Sequence, residues 1–206
     1  MLLLILIILF NLAVTILGMR AMRSQAEAEK FLYVPALIRQ GRNFRGYVLS
    51  HFAHSGWAHF LFNMLALYMF AVPILKASSY LSLALIYLLS GLAVDLIIFV
   101  LRSGNPGYRC LGASGSVSGI VFAGIVYDPH MSVFFFLLPI PIPGPIFALL
   151  YIALSIYLMR HGQDNISHEA HIGGSLAGFV GAALLSPEGI GPLWQRILEL
   201  AAGVVK

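Results

Sequence analysis

Residues Tyr80 to Leu101 form an apolar run interrupted by one acid, Asp95. At about 1.5 Å per residue such a run matches the roughly 30 Å hydrocarbon core of a bilayer. Further apolar stretches cover Met1 to Gly18, Met64 to Leu75, Ile146 to Met159 and His168 to about Leu185. A spanning segment must satisfy its backbone polar groups internally, so long unbroken apolar runs imply helices. The expected fold class is therefore all-α, a polytopic membrane protein. Composition agrees: 60% of residues are hydrophobic and 10% charged, with a mean hydropathy of +0.91, whereas soluble domains carry about 25% charged residues. One domain over residues 1–206, with little soluble mass, is the natural reading.

The formal net charge of +4 is modest and the arginines are not interleaved with aromatics, so nucleic acid is not an expected partner. A single cysteine, Cys110, excludes an internal disulfide and a paired-cysteine redox or zinc motif. Its expected role is packing.

Met1 to Gly18 lacks the basic start of a secretory signal and is expected to be the first transmembrane helix. Residues 19–50 are half apolar with charged flanks, which suits a segment lying in the membrane interface. Ser55 is a plausible N-cap for the second span. Within that span His59 and Asn63 stand four apart and share a helix face. Such a face points into a bundle rather than to lipid.

Arg102 to Arg109 reads as a turn-rich loop. After it comes Leu111-Gly112-Ala113-Ser114-Gly115-Ser116-Val117-Ser118-Gly119, a glycine- and serine-rich island. A fourth helix from about Ser114 to Tyr127 is too short to cross a bilayer alone, so it must begin inside the membrane. Its free N–H groups would then lie at membrane depth. Asp128 to His130 closes it, and the prolines between Pro139 and Pro145 mark an extended connection. Residues 187–206 form a mildly amphipathic tail.

The sixth span carries His171, Gly174, Gly178 and Gly181 on one small-residue stripe, and the fourth carries Gly115 and Gly119. Taken alone, such glycines mean close helix packing, and a lone intramembrane serine or histidine has structural uses. Put face to face, however, the two stripes bring Ser114 near His171. A serine becomes a nucleophile near neutral pH only with a base, which His171 could supply. Attack on an amide builds charge on oxygen and calls for preorganised donors. The Ser114 backbone N–H and the side chains of His59 and Asn63 are candidates. The histidines have no acidic or cysteine ligand set at metal spacing, so no metal or organic cofactor is expected.

Three blocks together resemble the rhomboid family of intramembrane serine proteases. They are His54-x4-His59-x3-Asn63, Gly112-Ala113-Ser114-Gly115, and Ala170-His171-x2-Gly174-x3-Gly178, spread over residues 43 to 185 in the family's order. The resemblance implies a six-helix rhomboid-like bundle and a Ser114–His171 dyad with no acidic third member. It also implies an oxyanion hole from His59, Asn63 and N–H groups near Ala113 and Ser114. Gly112, Gly115, Gly119, Gly174 and Gly178 would then pack the helices. Implied substrates are single-pass transmembrane proteins in a lipid bilayer, with the fifth helix and the following loop, residues 162–167, gating and capping the site. The expected location is a multi-pass place in the plasma membrane of a prokaryote. A non-proteolytic member that binds or escorts membrane clients is the alternative.

The chain departs from the family in its supporting residues. An aromatic often stands four residues after the nucleophile and stacks on the histidine; here that position is Ser118. Phe44-Arg45 stands one residue out of register with the family's Trp-Arg, and no Glu follows the second helix among Val72 to Lys76. Charge also runs against the family topology. With the N-terminus inside, Arg20, Arg23, Lys30, Arg39, Arg42, Arg45, Arg102, Arg109 and Arg160 fall outside. Only Lys76, Arg196 and Lys206 fall inside, the reverse of the positive-inside expectation.

Overall fold

A computed structural model describes residues 2–135, 138–162 and 166–203. Helix α1 (Leu2–Ala21) leads into a chain of short turns: α2 (Gln25–Ala28), a 3-10 turn (Glu29–Phe31), α3 (Pro35–Ile38) and α4 (Phe44–Ser50). Then follow α5 (Trp57–Ala77), α6 (Tyr80–Arg102) and α7 (Ser114–Tyr127). A hairpin of β1 (Ser132–Phe135) and β2 (Leu138–Pro143) precedes α8 (Gly144–His161), α9 (His168–Leu185) and α10 (Gly191–Ala201). Among the described residues, four helices are long and apolar enough to cross a membrane: α1, α5, α6 and α8. The polar first turn of α9, with His168, Glu169 and His171, sets it apart from those four.

Helix α7 is the axis of the bundle. Every residue from Gly115 to Val126 is buried, as befits a helix apolar on all sides. Small residues let its neighbours approach to backbone contact. A Cβ on Gly174 would overlap the Gly115 carbonyl, and one on Gly178 the Gly119 carbonyl, so α7 and α9 meet glycine to glycine as the paired stripes predict. The last member of the stripe differs. Gly181 faces Ile86 of α6, 3.4 Å from where its Cβ would sit, because crossing helices diverge along their length. On the other flank, a Cβ on Gly124 would lie 2.6 Å from the Phe70 carbonyl of α5.

The segment between α1 and α5 is ordered by Asn43. It sits in the left-handed region at φ 59°, which asparagine tolerates better than most residues. Its amide accepts from Gly46 N at 3.2 Å and donates to the carbonyls of Glu29 at 2.9 Å and Leu32 at 3.2 Å. One side chain thereby caps α4 and fastens it to the preceding turn.

The proline-rich connection is extended, as expected, but it pairs. Ser132 lies opposite Pro143, Val133 opposite Ile142 and Phe134 opposite Pro141. Gly144 N–H donates to the Met131 carbonyl at 2.9 Å, and Pro145 occupies the first turn of α8, where a missing N–H costs nothing. In the tail, α10 buries Leu193 and Arg196 and exposes Trp194 and Leu198.

Candidate active site

Ser114 is the first residue of α7. The turn before it is held from two sides. Gly112 N–H donates to the Ser50 carbonyl at the end of α4, at 2.8 Å, and Cys110 exchanges backbone hydrogen bonds with Tyr33 at 2.9 and 3.1 Å. The first loop thus carries the loop that presents the serine. Burial pushes the Cys110 thiol up to about 12, in keeping with an inert packing role.

Gly112 has φ +131°, a conformation that side-chain-bearing residues rarely adopt. A Cβ there would lie 2.9 Å from His59 Cε1, 3.1 Å from His59 Nε2 and 3.5 Å from Ser114 Oγ. The small volume over Gly112 is therefore bounded by an imidazole N and the serine hydroxyl. The first i→i−4 bond of α7 runs from Val117 N–H to the Ala113 carbonyl at 2.9 Å. The amides of Ser114, Gly115 and Ser116 precede it and have no carbonyl one turn back.

A Cβ on Gly115 would lie 2.8 Å from Val94 Cγ2 on α6. Val94 stands eight residues before the end of α6 at Arg102, or about 12 Å along the helix. The N-terminus of α7 is thus sunk roughly two turns below the end of its longer neighbour.

His59 Nδ1 pairs with Ser55 Oγ at 3.1 Å, which fixes the ring and leaves Nε2 toward Gly112. Ser55 was expected to cap α5, but the N-cap is Gly56 with no side-chain bond; the hydroxyl goes to the imidazole instead. Asn63 is buried and donates Nδ2–H to the His59 carbonyl at 2.8 Å, keeping one further amide hydrogen. Behind them His54 is 1% exposed, its Nδ1 2.8 Å from Thr15 Oγ1, which donates to the Phe52 carbonyl at 3.2 Å. Burial first, and then the nearby His59 ring, push His54 down to about 4.

Ser114, His171, His59, Asn63 and Gly112 all line one cavity of about 860 Å³, with Phe62, Leu65 and Met69 of α5 and Phe147 and Tyr151 of α8 on its outer wall. Phe62, Leu65 and Met69 are exposed on the bundle's surface, so the cavity reaches the face between α5 and α8. The predicted cap, residues 162–167, has its centre at 163–165 outside the described residues. Its flanks, Ile166 and Ser167, line the cavity, and Ser167 Oγ accepts from Tyr108 OH at 2.9 Å.

The partners of three polar side chains escaped the sequence reading. The first is Asp95, the one acid of the third span. It accepts from Tyr47 OH at 2.8 Å and meets His51 Nε2 at 3.0 Å, tying α4 and its C-cap to α6, and His51 and Asp95 line the same cavity. Arg102 meets Glu169 Oε1 at 2.9 and 2.7 Å and lies over the Tyr108 ring, joining α6 to α9. Tyr151 lies against His171 with ring centroids 6.3 Å apart and bonds Ser118 Oγ at 2.7 Å. A phenol in the middle of an apolar span is a sequence signal for a buried hydroxyl partner; which partner it finds is not.

Long apolar helices around a buried short helix define an integral membrane protein of the polytopic helical class. The family model described as Rhomboid domain matches residues 41–188, and the chain belongs to the rhomboid family. It is similar to RHOMBOID-like protein 12, mitochondrial, of Arabidopsis thaliana, at 28% identity over 148 residues, covering 62% of this chain and 42% of that protein. The chain thus spans less than half the length of this curated relative. That relative's name places it in the mitochondrion and lends no support to the expected prokaryotic plasma membrane. No solved structure matches the chain.

Proposed function

We propose that the protein is an intramembrane serine endopeptidase that hydrolyses peptide bonds in transmembrane segments. The observation that carries this reading is the convergence of Ser114, His171, His59 and Asn63 on one cavity at the sunken end of α7. Ser114 Oγ attacks the scissile carbonyl and its proton passes to His171. The carbonyl oxygen becomes an oxyanion, held by Asn63 Nδ2–H, His59 and the N–H groups that open α7. His171 then protonates the leaving amine as the C–N bond breaks. Water then attacks the ester carbonyl as His171 takes its proton, and His171 returns that proton to Ser114 Oγ as the ester C–O bond breaks, which releases the new carboxyl end and restores the serine hydroxyl.

The opening between α5 and α8 suits a substrate helix arriving through the bilayer, so single-pass membrane proteins are the proposed partners. Six spans, with α7 and α9 added to the four long apolar helices, are proposed for the bundle within one domain. The segment 19–50 would lie in the interface and residues 187–206 on the membrane. Placement in a prokaryotic plasma membrane is kept as a proposal that membrane fractionation of the source cells decides.

The second reading, a member that binds membrane clients without cutting them, is favoured by one observation: Ser118 stands where an aromatic would support His171. Labelling of detergent-solubilised protein with a fluorophosphonate separates the two. Wild type labels under the protease reading, and Ser114→Ala and His171→Ala do not. Folded wild type that fails to label supports the client-binding reading.

A further inference from the structure

Helix α8 is thinly attached. Only 17% of its residues are buried, against 44% over the apolar stretches of α5 and α6, and the buried ones are Gly144, Pro145 and Ser155. Tyr151, at its middle, makes the contacts that matter to the site. Its hydroxyl shares a 2.7 Å hydrogen bond with Ser118 Oγ on α7, one turn beyond Ser114. Its ring is 6.3 Å from the His171 ring at an interplanar angle of 36°, and 5.8 Å from the Phe122 ring at 65°. These spacings lie within the range of interacting aromatic pairs. One side chain therefore connects the helix that carries the serine, the helix that carries the imidazole, and a third helix with few buried residues of its own.

We infer that Tyr151 is a positioning residue for His171. Its ring forms the wall that selects the imidazole rotamer, and its hydroxyl, held by Ser118, fixes that ring. The inference rests on the proposed Ser114–His171 reading for its catalytic meaning, though not for its geometry. Ser118 then has a purpose beyond filling space. A small hydroxylated residue on α7 leaves room for a ring that arrives from α8 and anchors it. It follows that the imidazole is in register with the serine only while α8 lies against the bundle, so the dyad is sensitive to the position of that helix.

The test compares wild type, Tyr151→Phe and Tyr151→Ala by two readouts. In turnover of a transmembrane substrate, Tyr151→Ala lowers kcat by about ten- to a hundredfold, the usual effect of a misplaced catalytic group, with KM little changed. Tyr151→Phe keeps the ring and restores most of kcat. In 15N-histidine spectra of the detergent-solubilised protein, the His171 ring signals become broadened or multiple in Tyr151→Ala, and in Tyr151→Phe, which keeps the ring but loses its anchor to Ser118, they fall between that state and the single sharp set of wild type. The His59 signals serve as the control and stay unchanged. A Tyr151→Ala protein with wild-type kcat and unchanged His171 signals overturns the inference. A wild type that neither cleaves nor labels defeats the protease reading instead, and the His171 spectra still decide whether Tyr151 holds the imidazole.

Discussion

Gly112 lies against the imidazole of His59, so closely that a Cβ on the glycine would stand 2.9 Å from Cε1 and 3.1 Å from Nε2. The space that a methyl group would take is also the space beside Ser114 Oγ, where a substrate carbonyl oxygen must sit if His59 is to donate to it. Gly112→Ala would fill that space and strain a backbone at φ +131°. The expected outcome is loss of fluorophosphonate labelling together with a lowered melting temperature. Labelling at the wild-type rate would remove the volume over Gly112 from the reaction.

Asn63→Ala removes one proposed oxyanion donor and also the bond to the His59 carbonyl. Loss of a single such donor costs about 10²–10³ in kcat in a soluble protease, so residual turnover above the Ser114→Ala background is expected. Steady-state kinetics on a transmembrane substrate measures it. An unchanged kcat would place Asn63 outside the mechanism.

Gly174→Val drives a branched side chain into the Gly115 carbonyl on α7. Overpacking of this kind costs about 1–3 kcal/mol and sometimes more, and here it also displaces the helix that carries His171. Thermal unfolding in detergent should show a lower midpoint, and labelling should fall with it. Gly181→Ala, whose Cβ would make an ordinary 3.4 Å contact with Ile86, should leave both nearly unchanged. Equal effects at the two positions would contradict the glycine-to-glycine contact.

His54 gives a pH dependence with a defined sign. Burial holds it at about 4 in the folded protein, against about 6.5 for an unperturbed imidazole. The unfolded chain therefore binds the proton first as pH falls. Stability is fully present above about pH 6.5 and is lost as pH drops through the interval down to about 4. Melting temperature measured from pH 7 to pH 4.5 should decline in wild type and decline less in His54→Gln. Parallel curves would assign the acid sensitivity to other groups.

Much of the framework was legible in the chain because it depends on local patterns. The bounds of α7, Ser114 to Tyr127, follow from a turn-rich loop before the serine and Asp128-Pro129 after the last apolar residue. The bounds of α6 follow from a long apolar run with breakers at each end, and those of α9 from a run that turns apolar after His171 and stops at Ser186-Pro187. Glycines four apart announce a face on which another backbone can rest, and the partner stripe could be named because both are short and matched. His59, Asn63, Ser114 and His171 line one cavity; the matched stripes had pointed to Ser114 beside His171, and the family resemblance carried by the three blocks had implied the full set.

Where each side chain ends up was decided by packing. Ser55 was free by sequence to cap α5, and it turns to His59 because the ring nitrogen is within reach once α5 begins at Trp57. Gly181 belongs to the α9 stripe by periodicity yet meets α6, since helices that cross cannot stay in contact along their whole length. Asp95 has no partner visible in its own helix; Tyr47 of α4 and His51 at its C-cap reach it from 44 to 48 residues earlier in the chain. Tyr151 looks like any phenol in an apolar helix until α8 is laid beside α7 and α9. Periodicity along one chain tells which residues share a face and how long the element is. It carries no information on which other face will lie opposite, because that is settled by shape and hydrogen bonding between segments distant in sequence.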